Sequence, residues 1–178
     1  MFKSILIYGL VAGIIAGGVL SFTTVTGIGG HSSYAMAIGY LTMLVALSAI
    51  FLAIKRYRDV DGGGVIGFWR ALGMGLGISV VAGAIYVACW DMTLAMTHMD
   101  FAGEYAKAMI AQQQAKGASA ADIAKITAQM DAFKTQYANP LYRWPMTFIE
   151  IFPVGVLVSL ISAALLCNRR FLAARTAG

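Results

Sequence analysis

Charge is scarce in this chain. Asp, Glu, Lys and Arg make up 12% of its 178 residues, against about 25% in a soluble domain. Proline occurs three times, cysteine twice and histidine twice. Each shortage excludes something. Two cysteines, Cys89 and Cys167, both in apolar runs near opposite faces of a membrane, cannot build a disulfide framework, and they lack metal-ligand spacing. They read as small apolar residues. Two histidines, His31 and His98, fall with Asp91 and Asp100 on one expected side, but their spacing matches no zinc motif. No metal or cofactor is therefore assigned. The glycine triplet Gly62-Gly63-Gly64 lacks the Gly-Lys-Ser/Thr ending of a phosphate-binding loop. No nucleophile, base and acid stand in a usable pattern, so the chain does not read as an enzyme.

What the chain has in quantity is apolar sequence: 60% hydrophobic residues and a mean hydropathy of +0.76. The expected fold is all-α, a polytopic membrane bundle in a single domain. Four spans are expected at about residues 4–26, 34–54, 68–91 and 141–167, each near the ~20 residues that cross a bilayer. The first follows Met1-Phe2-Lys3 and is too long for a signal-peptide core, so it reads as an uncleaved span. The last carries the most unusual residues, and the other spans are expected to pack around it. The ten methionines read as gap-fillers between packed helices.

Small residues recur at helical spacing. Gly9, Gly13 and Gly17 line one face of the first span, and Gly73 and Gly77 form a similar pair in the third. Such faces let a partner backbone approach closely. The partner is either another span or another copy of the chain.

Residues 100–138 are polar with helical periodicity. Phe101, Tyr105, Ala108 and Met109 share a face; Gly117 ends that helix. Ser119-Ala-Ala-Asp122 has the form of a capping box. Ile123, Ile126, Met130, Phe133 and Tyr137 then make an amphipathic stripe. This predicts a helical hairpin outside the hydrocarbon, packed on the bundle or on another subunit. Its Lys and acidic residues nearly cancel, unlike a cationic lipid-binding helix.

The net charge of +5 does not indicate nucleic acid, because the positive residues sit at span ends. Lys3, Lys55, Arg56, Arg58, Arg70, Arg169, Arg170 and Arg175 fall on one side, five basic residues on the other. The positive-inside rule then puts both termini in the cytoplasm and the hairpin outside. Lys55, Arg56 and Arg58 are expected at lipid headgroups; Arg70 can reach the same level.

Chemistry centres on Glu150, an ionisable residue inside the last span. A carboxylate facing lipid costs about 2.5–3.5 kcal/mol. Pro153 removes an N–H and frees the carbonyl of Ile149. Two readings stand: a proton or cation site, or a packed carboxyl paired to a neighbouring span. Arg143, seven residues earlier on the same face, reaches towards Glu150 or up to headgroups. Trp90 and Asp91 lie at a similar height on the third span, where Asp91 is a candidate to share a proton or cation with Glu150. Gly155 is a further packing position.

Several of these residues fall in one order: Gly39-Tyr40, Lys55-x-Tyr57-Arg58-Asp59, Gly63-x-x-x-Gly67-Phe68, Trp90-Asp91, Gly117-Ala118-Ser119, Asn139-Pro140-Leu141 and Glu150-x-x-Pro153-x-Gly155. In these the chain resembles a family of small bacterial inner-membrane proteins known only as domain of unknown function 4199. The resemblance implies four spans and a bacterial inner membrane, and no activity. The family pattern has Glu where this chain has Asp91, which keeps the acid and shortens its reach. The expected function is association, as a homo-oligomer or membrane-complex subunit among membrane lipids. The alternative is a small proton- or cation-linked transporter or channel using Glu150.

Overall fold

A computed structural model describes residues 1–27 and 35–173. The described elements are all helices: α1 (Phe2–Thr26), α2 (Ala35–Leu47), α3 (Ala49–Arg56), a π-helical segment (Tyr57–Asp61), α4 (Phe68–Thr97), α5 (Phe101–Ala115), α6 (Ala120–Tyr137) and α7 (Pro140–Leu166). Four stretches are long and apolar enough to cross a membrane: Phe2–Thr26, Ala37–Asp61, Phe68–Thr97 and Pro140–Leu166. The protein is a multi-pass helical membrane protein. The chain divides into two compact units, residues 1–90 with 148–178, and residues 91–147.

The first unit holds the apolar core. Leu47, Ile50 and Ile54 meet Met74, Ile78, Ala82 and Tyr86 of α4, Ala12 and Ala16 of α1, and Ile151, Ala163 and Leu166 of α7. Large apolar side chains such as Leu6, Ile14, Val45, Leu157 and Ile161 remain exposed, as suits a surface wetted by lipid tails rather than water. Lipid removes the usual hydrophobic drive between helices, so close packing must hold them.

The glycine face of α1 finds that packing within the chain. A Cβ on Gly9 would stand 2.6 Å from the Cβ of Val81; on Gly13, 2.6 Å from that of Ile85; on Gly17, 2.7 Å from that of Cys89. All three partners are on α4. The choice between another span and another copy is thus resolved in favour of a span. Gly77 faces Ile5 at 3.2 Å, whereas Gly73, its expected companion, is exposed with no atom within 4 Å.

A second close approach joins α4 to α7. A Cβ on Gly75 would meet Ser159 Oγ at 2.7 Å, and one on Gly155 would meet Ser79 Oγ at 2.5 Å. The two buried hydroxyls lie 3.3 Å apart. Each also donates to the carbonyl four residues back, Ser79 to Gly75 at 2.9 Å and Ser159 to Gly155 at 2.7 Å. Both oxygens are therefore satisfied without water, which hydrocarbon demands. Gly75 further touches Ile50. The α4 helix thus meets α1, α3 and α7.

The second span runs past its expected end at residue 54. Its helix breaks at Ser48, resumes, and continues as the π-helical segment to Asp61. The wider turns coincide with Arg58 pointing inward, where its relative exposure is 0%. Gly63 and Gly64, at φ 58° and 83°, then reverse the chain. The Gly64 N–H closes the turn onto the carbonyl of Arg58 at 2.9 Å.

In the second unit, local signals act as expected. Asp100 caps α5 by accepting from the Gly103 N–H at 2.9 Å. Gly117, at φ 76°, ends it. The Ala118 N–H reaches the Gln113 carbonyl at 3.1 Å and the Gly117 N–H that of Gln114 at 3.0 Å, the paired bonds of a left-handed helix stop. Ser119 accepts from the Asp122 N–H at 3.2 Å and donates its hydroxyl to that Asp carboxylate at 2.7 Å. The reciprocal bond of the box is thus made by the hydroxyl. Phe101, Tyr105, Phe133 and Tyr137 pack ring to ring between α5 and α6, with centroids 5.3 to 6.2 Å apart. The α4 helix continues six residues past its expected end at Asp91, to Thr97.

The glycine contacts set a stability prediction. Gly13→Leu drives a side chain into α4 and should cost about 1–3 kcal/mol or more, seen as a lower melting temperature in mild detergent. Gly18→Leu, at a position with no atom within 4 Å, should leave it unchanged. Equal melting for the two variants would remove the α1–α4 contact as a stability element.

Candidate functional site

Glu150 is the eleventh residue of α7 (Pro140–Leu166), about 15 Å along it at ~1.5 Å per residue. The helix continues through Pro145 and Pro153. Asn139 starts it by accepting from the Leu141 N–H at 3.0 Å, with Pro140 at the first position, where no donor is lost.

Glu150 is exposed on the surface of this apolar helix. Ile149, 66% exposed, and Leu157, 53% exposed, lie on either side along the chain, and Pro153 is exposed between them. The carboxyl has the hydroxyl of Tyr86, on α4, as a polar neighbour. Tyr86 itself is 1% exposed. Among the described residues, no Lys or Arg forms an ion pair with Glu150. A carboxyl offers about four lone-pair sites, and one phenol hydroxyl serves only part of that capacity. The Tyr86 neighbour fits the reading of a carboxyl paired to a neighbouring span, and the exposure fits that of a proton or cation site.

Asp91 and Arg143 form a separate site in the second unit. Arg143 Nε donates to Asp91 Oδ1 at 2.8 Å, and the indole N–H of Trp144 donates to Asp91 Oδ2. Arg143 also donates through Nη1 to the Tyr137 carbonyl at 3.2 Å and lies 5.7 Å from the centre of that ring. Arg143 was expected at headgroups or near Glu150, and Asp91 was expected to share a proton or cation with a second acid. Instead the two form an acid–base pair, with both Asp91 oxygens engaged. Trp90 is 4% exposed, packed inward rather than set at an open interface.

The basic cluster splits. Arg56 is exposed, as a headgroup contact requires. Lys55 is bonded to Asp59 at 2.6 Å with its side chain 33% exposed. Arg58, expected at headgroups, is instead buried and does not reach them. Its Nε donates to Asp59 at 2.7 Å, Nη1 to the carbonyls of Leu166 at 3.5 Å and Phe171 at 2.9 Å, and Nη2 to that of Leu172 at 2.6 Å. These carbonyls lie at and beyond the α7 C-terminus, where the helix dipole is negative. His31 lies outside the described residues. Among those described, no three His, Cys, Asp or Glu side chains gather as a metal site.

Sequence reasoning missed Tyr86, Gly75, Ser79 and Ser159. The last three were legible as two Gly-x-x-x-Ser pairs, 75–79 and 155–159. Nothing local marked Tyr86 as the neighbour of Glu150.

The family described as "Protein of unknown function (DUF4199)" matches residues 7–168, and the chain belongs to it. No curated protein and no solved structure matches.

The Asp91–Arg143 pair predicts strong coupling. Asp91→Ala and Arg143→Ala should each cost about 1.5–3 kcal/mol, the range for hydrogen bonds to charged groups. The double variant should lose little more than either. Denaturant titration of the four proteins in one detergent measures this; additive losses would mean the pair is not coupled.

Proposed function

We propose that this DUF4199 protein works by association in a bacterial inner membrane, as a homo-oligomer or a subunit of a membrane complex, and that the α7 face bearing Glu150 is the contact. The carrying observation is the exposed Glu150 on an apolar span. Left against lipid, a carboxylate there costs about 2.5–3.5 kcal/mol. A partner that supplies donors removes the cost. A second copy inserted in the same direction brings its own Glu150 to the same depth, as a two-fold axis along the membrane normal requires. The α1 glycine face no longer supports association, since α4 occupies it. We assign no catalytic chemistry to the chain. Both termini are placed in the cytoplasm on the distribution of basic residues, and with them the α5–α6 pair outside.

The second reading, a small proton- or cation-linked transporter or channel, draws on the same exposed acid beside a buried hydroxyl. Cysteine chemistry separates the two. Cys89 and Cys167 are replaced by Ala, and Glu150→Cys is oxidised in native membranes. Association predicts a covalent dimer, or an adduct to one other protein, from position 150 and none from an Ile14→Cys control on α1. Labelling of position 150 by a membrane-impermeant thiol reagent without cross-linking, together with loss of flux in Glu150→Gln, would replace association by transport.

A further inference from the structure

Arg58 does more than fill its own hydrogen bonds. Its Nη1 holds the carbonyls of Leu166 and Phe171 together, and these residues bracket a tight turn. The Phe171 N–H bonds the Asn168 carbonyl at 3.1 Å, making Arg169 and Arg170 the two central residues of a four-residue turn. The Asn168 side chain braces it by accepting from the Arg170 N–H at 3.0 Å. Phe171 anchors the turn edge-on against Phe51 of α3, centroids 6.4 Å apart. Both arginines are exposed. Arg56, one residue past the bonded Lys55, is exposed as well. Lys55 and Arg58 share the carboxylate of Asp59. Among the described residues, Arg56, Arg169 and Arg170 are exposed and form no ion pair.

An apolar track leads to the turn. Leu157, Ile161 and Leu165 recur every four residues along α7, 53%, 51% and 39% exposed. That row ends one turn short of Arg169. Leu172, 53% exposed, stands just beyond the arginines. A ligand matching both features has an anionic phosphate and a long hydrocarbon tail.

We propose that the turn carrying Arg169 and Arg170 is a binding site for an anionic phospholipid, with its phosphate at the two guanidinium groups and an acyl chain along Leu157, Ile161 and Leu165. Arg58 is the positioning residue that pins the turn. Two adjacent arginines present planar donor forks suited to phosphate oxygens, and the location is the headgroup level of a span end. Leu157 and Ile161 share the α7 face of Glu150, so the acyl chain lies beside the proposed contact, but the lipid site does not rest on association there.

The test is native mass spectrometry of the full chain released from nanodiscs containing phosphatidylglycerol, cardiolipin and phosphatidylcholine. The wild type should retain the anionic lipids over phosphatidylcholine. Arg169→Ala with Arg170→Ala should weaken that retention roughly 30-fold, from about 1 kcal/mol for each surface arginine. Lys107→Ala with Lys116→Ala should leave it intact. Arg58→Lys keeps the charge but not the fork, and should lower anionic selectivity while helix content and oligomer mass stay unchanged. Equal retention of anionic and zwitterionic lipid, or retention unmoved by loss of both surface arginines, would overturn the site. Full displacement of bound lipid by millimolar inorganic phosphate would also overturn it, because the track along α7 would then contribute nothing.

Discussion

Close backbone approach onto α4 is the constraint on which the membrane-spanning unit depends. Between spans, lipid tails are as apolar as leucine, so burying leucine gains little. Dispersion contacts at short range and hydrogen bonds in place of water must do the holding. Gly9, Gly13 and Gly17 give α1 that approach on one side. The crossed Gly75–Ser159 and Gly155–Ser79 contacts give it to α7 on another. Each serine satisfies its hydroxyl on its own helix and touches its counterpart across the gap. The arrangement tolerates few changes, because added volume at any of these glycines meets a side chain or a backbone carbonyl.

With packing settled by small residues, polar groups divide by role. Arg58 and Asp59 fix the end of α7, and Asp91, Arg143 and Trp144 tie helix ends within the second unit. Those groups engage partners already in the chain. Glu150, Arg169 and Arg170 face outward. On the outward set rest both proposals, association through the acid on α7 and lipid at the pinned basic turn.

The sequence made the span count, the polar helical segment and the local stops readable. Ser119, Gly117 and Asn139-Pro140 act through neighbours two to five positions away, and such signals survive in one dimension. The partner of the Gly9–Gly13–Gly17 face was unreadable because small residues advertise closeness without naming what comes close. Of Gly73 and Gly77 only the second meets a neighbouring span, at Ile5 of α1, and the register used against α7 is that of Gly75 and Ser79. Arg58 was misplaced for a related reason. A run of Lys, Arg and Tyr at a span end looks like headgroup sequence, and only contacts more than a hundred residues distant turn one of its members inward. Arg143 likewise chose Asp91, 52 residues away, over the headgroups that its position suggested.

The Arg58 bonds also bear on how the protein is made. Their acceptors lie 108, 113 and 114 residues further along the chain. During synthesis the guanidinium waits, hydrated, while the later spans are inserted. Asp59, its neighbour in sequence, is at hand from the start, but the carbonyl of Leu172 is not there to accept until residue 172 has been added. Until then, burying this charge is unfavourable by several kcal/mol. The clasp is thus a record of completion: a nascent chain stopped short of that turn keeps an open, charged end on its second span, and the finished chain does not.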